Sequence, residues 1–328
     1  MKALVTGATG FVGSHVAELL HKRGYEVRCT VRKTSNLRWL ENKPFELVEV
    51  SFSDPESLRQ AVLGVDYIFH VGGSIAAKNL DAFIKSNRDG TKNLLGAVLK
   101  YNPDVKRFLY VSSQTVAGPS DSLEKPINED KPGKPLTSYG KSKKAAEEEV
   151  LKLKDKLPVT IVRPSAVYGP RDEGIYPMFK LAKQGLGTLV GFNPQYLTLI
   201  HSDDLARGII DAAESQKTIG QTYFLSSEEA YSWDKVYDAM KKGLNKKNIL
   251  LIKLPHFLVL GIAGISEFFG KFSKKPPIFN YDKGIDFIQT YWTCSVEKAK
   301  RDFGFRQQVS IEDGVKNTLD WYIENKWI

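Results

Sequence analysis

Short apolar runs alternate with segments of helical periodicity from the N-terminus to about residue 225. The runs are too short for helices and rich in branched and aromatic residues, so they predict buried strands. Their bounds are 3–5, 26–32, 46–50, 66–71, 107–111, 159–163, 197–201 and 222–225. Helical patterns lie between them, for example over 11–23 and 57–63. This alternation predicts an α/β fold with a doubly wound parallel sheet.

The first predicted strand runs directly into a glycine cluster. Gly7, Gly10 and Gly13 are spaced three apart, and a helix pattern follows at once. Gly7 permits a tight turn, Gly10 lets backbone N–H groups approach a pyrophosphate, and Gly13 lets the helix pack closely on the strand. A dinucleotide site is favoured over an ordinary glycine-rich turn because the required strand and helix are both present. The residues expected to contact the cofactor here are Gly7, Thr9, Gly10, Phe11, Val12 and Gly13.

The residues after the second strand indicate which dinucleotide is bound. An NAD site usually has an acid about 20 residues past the glycines, which binds the adenosine ribose. The window 31–36 contains no acid, and Arg32 and Lys33 can neutralise a 2′-phosphate while Ser35 donates a hydrogen bond. NADP(H) is therefore the preferred cofactor and NAD(H) the alternative. A solvated basic turn is the other interpretation.

Small and polar residues follow the next strands. Val71, Gly72 and Gly73 end the fourth strand, and Ser113 follows the fifth. Open α/β sheets hold their ligands at these carboxyl ends. Asn87 lies on the helix after the fourth strand, where an isolated asparagine is more often a surface residue than a site residue.

Tyr139 and Lys143 are four residues apart on a predicted helix through Lys154. They share one helix face, and an ammonium beside a phenol would lower the phenol's pKa from about 10 and make Tyr139 usable as an acid or base. By itself this spacing is also typical of a helix-surface contact. His201 could likewise be a base, but a histidine beside a helix start is more often structural.

Composition changes this picture little. The 328 residues carry a formal charge of +9, but the lysines are scattered among acids, which argues against a nucleic-acid partner. Cys29 and Cys294 have neither metal-site nor disulfide-framework spacing, so we expect no metal site and a reducing cytoplasm. The first apolar stretch is broken by Thr6 and Gly7, so we expect it to belong to the fold and not to a secretory signal.

An apolar run from Phe257 to Ile265 stands out in the last third of the chain. It is far below the ~20 residues that a membrane-spanning helix needs. Core packing is the leading interpretation. The alternatives are lining of an apolar substrate pocket, assembly, or peripheral membrane contact through 254–275, with Lys271, Lys274 and Lys275 beside it.

Several motifs together carry a family resemblance. They are the Gly7/Gly10/Gly13 cluster, Ser113, the Tyr139/Lys143 pair, Arg163-Pro164, and His201-x-Asp203-Asp204-Leu205-Ala206. In this order they resemble the extended short-chain dehydrogenase/reductases, the NAD-dependent epimerase/dehydratase family. The segment 31–36 and the C-terminal tail resemble the branch of dihydroflavonol-4-reductase-like and 3β-hydroxysteroid-dehydrogenase-like proteins. The resemblance implies a Rossmann domain (1–165 and 201–226) and a smaller, mostly helical substrate domain (166–200 and 227–328).

The resemblance also implies roles for single residues. Tyr139 would be the general acid or base, and Ser113 would hydrogen-bond the reacting oxygen. Lys143 would bind the nicotinamide ribose and lower the Tyr139 pKa, while Asn87 would be an ordering residue of the site. Pro164 and Val167 would border the nicotinamide.

A departure from the family pattern concerns the substrate. Family members that act on sugar nucleotides commonly carry an arginine four residues before the histidine, and here that position is Leu197. Without that charge-assisted contact a diphosphate is disfavoured.

We therefore expect an NADP(H)-dependent oxidoreductase for a small to medium, fairly apolar carbonyl or alcohol. The alternatives are an NAD-dependent nucleotide-sugar epimerase or dehydratase and a non-catalytic cofactor-sensing protein. Family analogy implies a homodimer.

Overall fold

The computed structural model describes residues 1–270 and 279–328 of the chain. In chain order its strands are β1 (Lys2–Thr6), β2 (Glu26–Val31), β3 (Glu46–Glu49), β4 (Tyr67–His70), β5 (Arg107–Val111), β6 (Val159–Pro164), β7 (Ala166–Tyr168), β8 (Leu186–Val190), β9 (Tyr196–Leu197), β10 (Leu199–His201), β11 (Thr222–Leu225), β12 (Tyr231–Ser232), β13 (Leu250–Leu254) and β14 (Tyr291–Trp292). Seven of them form one parallel sheet in the order β11-β6-β5-β4-β1-β2-β3.

Helices cover both faces of this sheet. In chain order they are α1 (Phe11–Lys22), α2 (Pro55–Val62), α3 (Leu80–Ile84), α4 (Gly90–Tyr101), α5 (Ser138–Leu151), α6 (Tyr176–Lys183), α7 (Ser202–Glu214), α8 (Trp233–Gly243), α9 (His256–Gly270), α10 (Tyr281–Phe287), α11 (Glu297–Phe303) and α12 (Ile311–Glu324). One apolar cluster joins the sheet to α1, α7 and α11, and a second joins it to α2, α4 and α5. The expected doubly wound α/β fold is therefore confirmed.

Local signals explain why the elements lie where predicted. Ala3, Leu4 and Val5 are fully buried in β1, as expected of a central strand that is covered on both faces. Asp54 caps α2 by accepting hydrogen bonds from the Glu56 and Ser57 amides. His201 accepts a hydrogen bond from the Asp203 amide at the start of α7, which is the structural role favoured for it.

A third apolar cluster lies outside the large sheet. It joins α6, α8 and α12 to two short sheets. One sheet pairs β8 with β13, and the other has the strand order β12-β9-β14. Tyr322 of α12 is fully buried there and donates a hydrogen bond of 2.6 Å to the Asp172 carbonyl. This cluster forms a core for the segments that pack outside the large sheet.

The apolar helix α9 differs from the leading interpretation of core packing. Only Val259 and Ala263 are buried, whereas Phe257 is 76% and Phe269 67% exposed. The predicted membrane contact through 254–275 falls partly on Lys271, Lys274 and Lys275, which lie outside the described residues. Among the helices of the described ranges, none is long and apolar enough to cross a membrane.

Candidate active site

The glycine cluster lies at the carboxyl end of β1, between β4 and β2, where the strand order reverses direction. Gly7 has a φ of +74°, which glycine adopts without strain, and the Gly10 amide donates to its carbonyl over 3.0 Å. A Cβ on Gly13 would lie 2.2 Å from the Gly7 carbonyl oxygen. Only glycine therefore allows α1 to start so close to the strand.

The residues around this turn fit a dinucleotide. Among the described residues, no side chain caps the first turn of α1. The backbone N–H groups of this turn, which begins with Phe11 and Val12, are therefore available to a pyrophosphate. The loop after β4 passes close by, because a Cβ on Gly7 would lie 2.7 Å from the Gly72 Cα. Thr9 lies in the turn, and Val71 and Gly73 flank Gly72 in this loop.

Arg32, Lys33 and Ser35, which the sequence predicts to bind a 2′-phosphate and which we call the phosphate selector, lie in a turn at the end of β2. The Ser35 amide donates to the Arg32 carbonyl over 2.8 Å, and the Arg32 amide donates to Ser35 Oγ over 2.9 Å. Arg32 and Lys33 are exposed, and within the described ranges no carboxylate pairs with either side chain. Two unpaired cations therefore lie where the adenosine ribose of a Rossmann cofactor binds.

Ser113 follows the end of β5, and Tyr139 lies in the first turn of α5. Ser113 Oγ accepts a hydrogen bond of 2.9 Å from Thr115 Oγ1. The Ser113 hydroxyl proton therefore points away from Thr115. The nearby Ser113 hydroxyl lowers the pKa of the Tyr139 phenol. Burial nevertheless outweighs this contribution and raises the pKa of Tyr139 to about 12.

The Lys143 ammonium contacts the large sheet, and the expectation that it lowers the Tyr139 pKa stays a prediction. Its ammonium donates to the Val111 carbonyl over 2.7 Å and lies 4.3 Å from the centre of the Tyr110 ring. Lys143 is only 3% exposed, and burial lowers its own pKa to about 7. The two residues share a face of α5 as predicted, but the ammonium is held by the sheet.

Asn87 is buried, not a surface residue, and lies in a π-helical turn (Lys85–Asp89) between α3 and α4. Its Nδ2 donates to the Ser74 carbonyl and to Ser142 Oγ over 3.1 and 2.9 Å. Its Oδ1 accepts from the Ser74 amide over 2.7 Å. Asn87 therefore ties the loop after β4 to α5, next to Lys143.

The sequence interpretation missed His70, the last residue of β4. Thr91 Oγ1 donates to the Asn87 carbonyl over 2.6 Å, so it accepts from His70 Nε2, which lies 2.9 Å away. His70 Nδ1 then accepts from Thr6 Oγ1 over 2.7 Å. Burial is the main reason that the pKa of His70 is lowered to about 3. A neutral histidine thus joins β1 to the Asn87 turn, and its place at a strand end was the only sequence signal.

Asp286 of α10 was also missed. It shares a small cavity with Tyr139, Thr137 and Phe83, and the Phe83 and Tyr139 rings are 6.0 Å apart. Burial raises the pKa of Asp286 to about 7. A larger cavity of ≈ 680 Å³ beside it is lined by α9 together with Leu80 and Phe83. No sequence pattern indicates either cavity, because α10 is far from α5 along the chain.

Two further predicted residues lie at the carboxyl side of the sheet. Pro164 ends β6 and pairs with Leu225, and Val167 lies in β7 opposite Ile200. Their expected place beside the nicotinamide stays a prediction.

Comparison with known proteins assigns the family. The model of the NAD-dependent epimerase/dehydratase family matches residues 3–234, which include the glycine turn, Ser113 and the Tyr139/Lys143 pair. The chain belongs to this family. Members of the NAD-dependent epimerase/dehydratase family that are similar over the whole chain include reductases and dehydrogenases. The protein is accordingly an NAD(P)-dependent oxidoreductase of the extended short-chain dehydrogenase/reductase branch, as the motifs predicted.

Individual family members are distant. The chain is 27% identical to the ceramide reductase of Caulobacter vibrioides, over 99% of this chain and 95% of that protein. It is also 27% identical to the 2-alkyl-3-oxoalkanoate reductase of Stenotrophomonas maltophilia, over 96% and 98% of the two chains. Among solved structures, that of gox2253 is 29% identical and covers 98% of both chains with a TM-score of 0.80. UDP-glucose 4-epimerase of Thermotoga maritima, at 22% identity and a TM-score of 0.79 over 99% of this chain and 100% of that one, shares the fold.

Proposed function

We propose that this oxidoreductase is an NADP(H)-dependent reductase of an apolar carbonyl compound, or the dehydrogenase of the corresponding secondary alcohol. The observation that carries the proposal is that Tyr139 lines a cavity while its phenol lies near the Ser113 hydroxyl, which lowers the phenol's pKa. A carbonyl oxygen at this point would meet two hydroxyl donors. Such an arrangement is suited to acid catalysis.

Each polar residue has a distinct task in this proposal. The bound cofactor supplies the hydride. Tyr139 gives its proton to the carbonyl oxygen, and Ser113 hydrogen-bonds the same oxygen as negative charge develops on it. Lys143 would hold the ribose hydroxyls, because its ammonium lies at the Gly73 loop, where a Cβ would be 3.6 Å from Nζ. Asn87 positions that loop and does not touch the substrate, since its amide groups are all engaged.

The unpaired charges of Arg32 and Lys33 support NADP(H) over NAD(H). A 2′-phosphate can accept charge-assisted hydrogen bonds from both side chains. The Ser35 hydroxyl, held against the Arg32 amide, can donate a third. NAD(H) would leave both cations without a partner at that site.

The apolar substrate is supported by the walls of the larger cavity. Leu80, Phe83 and Phe268 form the apolar part of its wall, which also includes Lys78, Glu267 and Asp282. The cavity shares Phe83 with the smaller cavity of Tyr139. The names of the ceramide reductase and the 2-alkyl-3-oxoalkanoate reductase both describe compounds with alkyl chains. We further propose that α9, residues 166–200 and the C-terminal segment hold the substrate while the large sheet holds the cofactor.

Replacement of Tyr139 tests the reductase. Tyr139→Phe keeps the ring and removes the acid, so we expect turnover of aliphatic ketones with NADPH to fall about 100- to 10,000-fold. NADPH affinity and the far-UV spectrum should stay unchanged. Full turnover in this variant would contradict the proposal, and so would release of bound NAD with epimerisation of a UDP-sugar by the wild-type protein.

Two further properties belong to this proposal. The buried thiols of Cys29 and Cys294 are free, which suits a reducing cytoplasm. A homodimer is proposed by analogy with the family, and light scattering at micromolar concentration would reveal a monomer if the analogy fails.

A further inference from the structure

Asp286 is held in place by three separate contacts of its short helix. One turn earlier, the carboxylate of Asp282 accepts a hydrogen bond of 2.7 Å from the Ser138 amide, beside Tyr139. Gly284 lies so close to α9 that a Cβ would be 3.0 Å from the Ala263 Cβ. The Trp292 ring nitrogen donates to the Asp286 carbonyl over 2.9 Å. Because α10 is docked on α5 and α9, the position of the Asp286 side chain is defined by the fold.

The carboxyl group of Asp286 has an unused acceptor. Its Oδ1 is buried and has no hydrogen-bond partner among residues 1–270 and 279–328. A buried carboxylate oxygen without a partner is costly, and native proteins keep one mainly where a ligand or water will satisfy it. The cavity that Asp286 shares with Tyr139 measures ≈ 20 Å³, which is enough for one small polar group.

The charges around this cavity favour a ligand that donates a hydrogen bond. Asp282 and Asp286 both face it, whereas Lys283 contributes an ammonium from an exposed position. The Asp282 carboxylate is already occupied by the Ser138 amide. A second anion placed beside Asp286 would be repelled, while a hydroxyl or N–H group would satisfy Oδ1.

We propose that Asp286 determines substrate specificity by accepting a hydrogen bond from a hydroxyl, amine or amide N–H on the carbon next to the reacting carbonyl. The inference rests on the proposed function, since it takes Tyr139 as the residue at the carbonyl. The substrate class is then an apolar-tailed ketone with a neighbouring donor, for example an α-hydroxyketone. A 3-oxo acid, which places a carboxylate in the same region, is disfavoured.

A binding measurement tests the site without requiring turnover. Octane-1,2-diol and octan-2-ol would be titrated into the NADP⁺ complex at pH 8, above the raised Asp286 pKa of about 7. A hydrogen bond to a charged acceptor corresponds to an affinity difference of about tenfold to a hundredfold in favour of the diol. Asp286→Asn, which preserves the shape, should reduce this preference to below about threefold. Asp238→Asn removes an equal charge from an exposed site on α8 and should preserve it.

Turnover gives a second readout on three ketones with the same hexyl tail. Wild-type protein should prefer 1-hydroxyoctan-2-one to octan-2-one and to 3-oxononanoate, and Asp286→Asn should remove that preference. Equal binding of the two alcohols, binding of neither, or a diol preference that persists in Asp286→Asn overturns the inference. If Tyr139→Phe is inactive, such a result contradicts only the inference about Asp286 and not the proposed reductase. An Asp286-dependent diol preference without any ketone turnover supports the site and counts against the reductase.

Discussion

The ammonium of Lys143 lies in a poorly hydrated site between the Tyr110 ring and the Val111 carbonyl. Burial lowers its pKa to about 7, so its charged fraction falls as the pH rises through neutrality. In the proposed function, the charge that Lys143 offers to the cofactor's ribose therefore depends on this environment. Arg32 and Lys33 differ from Lys143 in that both are exposed.

The selector residues give a prediction about cofactor preference. In the double variant Arg32→Ala/Lys33→Ala we expect the Kd for NADPH to rise about 10- to 100-fold, because charge-assisted contacts to the 2′-phosphate are lost. The Kd for NADH should change less than about threefold, as NADH has no such phosphate. Fluorescence titration of both cofactors measures this. Lys241→Ala/Lys242→Ala, which removes two adjacent lysines at the end of α8, serves as control; equal losses for both cofactors would disprove the selector.

At the scale of elements, the close approach of β1 and α1 determines the cofactor site. The Gly7 turn lets the chain reverse within a few residues, and Gly13 lets α1 pack on that turn. The amides at the start of α1 then face the position where a pyrophosphate binds in Rossmann folds. Backbone geometry, and not a charged side chain, provides this part of the site.

Two glycine-to-alanine substitutions separate helix propensity from this packing. Gly13→Ala places a Cβ 2.2 Å from the Gly7 carbonyl oxygen, so we expect at least 2 kcal/mol of destabilisation and loss of NADPH binding. Gly96→Ala lies in α4 with open space around its Cβ and should stabilise the protein by about 0.5–1 kcal/mol. Urea unfolding and cofactor titration measure both effects. If Gly13→Ala binds NADPH normally, the packing argument fails.

At the scale of the whole molecule, the network through His70 connects elements from two regions of the chain. Thr6 of β1 contacts one ring nitrogen, and Thr91 of α4 contacts the other. Through Thr91 and the Asn87 turn, the same network reaches the loop that closes the cofactor site. A neutral His70 therefore supports both global stability and the position of Gly72 and Gly73.

The lowered pKa of His70 predicts how this contribution depends on pH. The unfolded histidine gains a proton below its ordinary pKa of about 6.5, whereas the folded one stays neutral down to about 3. The stabilisation by His70 is therefore fully present above pH 6.5 and decreases as the pH falls. We expect the destabilisation caused by His70→Asn to be about 2 kcal/mol smaller at pH 5 than at pH 8. Urea unfolding of both proteins tests this, and a pH-independent difference would show that His70 has the same pKa in the folded and the unfolded protein.

Most of the fold follows from local pattern. The apolar runs at β1, β5, β6 and β11 predicted strands within about a residue of the observed bounds, because strands buried on both faces need continuous apolar residues. The pattern could not show that α9 is largely exposed, since a run that suits a core also suits a cavity wall.

The sequence by itself determined the doubly wound sheet, the dinucleotide turn at Gly7 and the pairing of Tyr139 with Lys143 on one helix. These depend on residue spacing along a single strand or helix, which the periodicity of the backbone fixes. Only the tertiary structure decided which charges Tyr139 and Lys143 meet, and it placed His70 and Asp286 at the site. Burial shifts the pKa values of His70, Lys143 and Asp286, and the packing of α10 leaves Asp286 Oδ1 without a hydrogen-bond partner among the described residues. Neither effect depends on the spacing of residues along the chain.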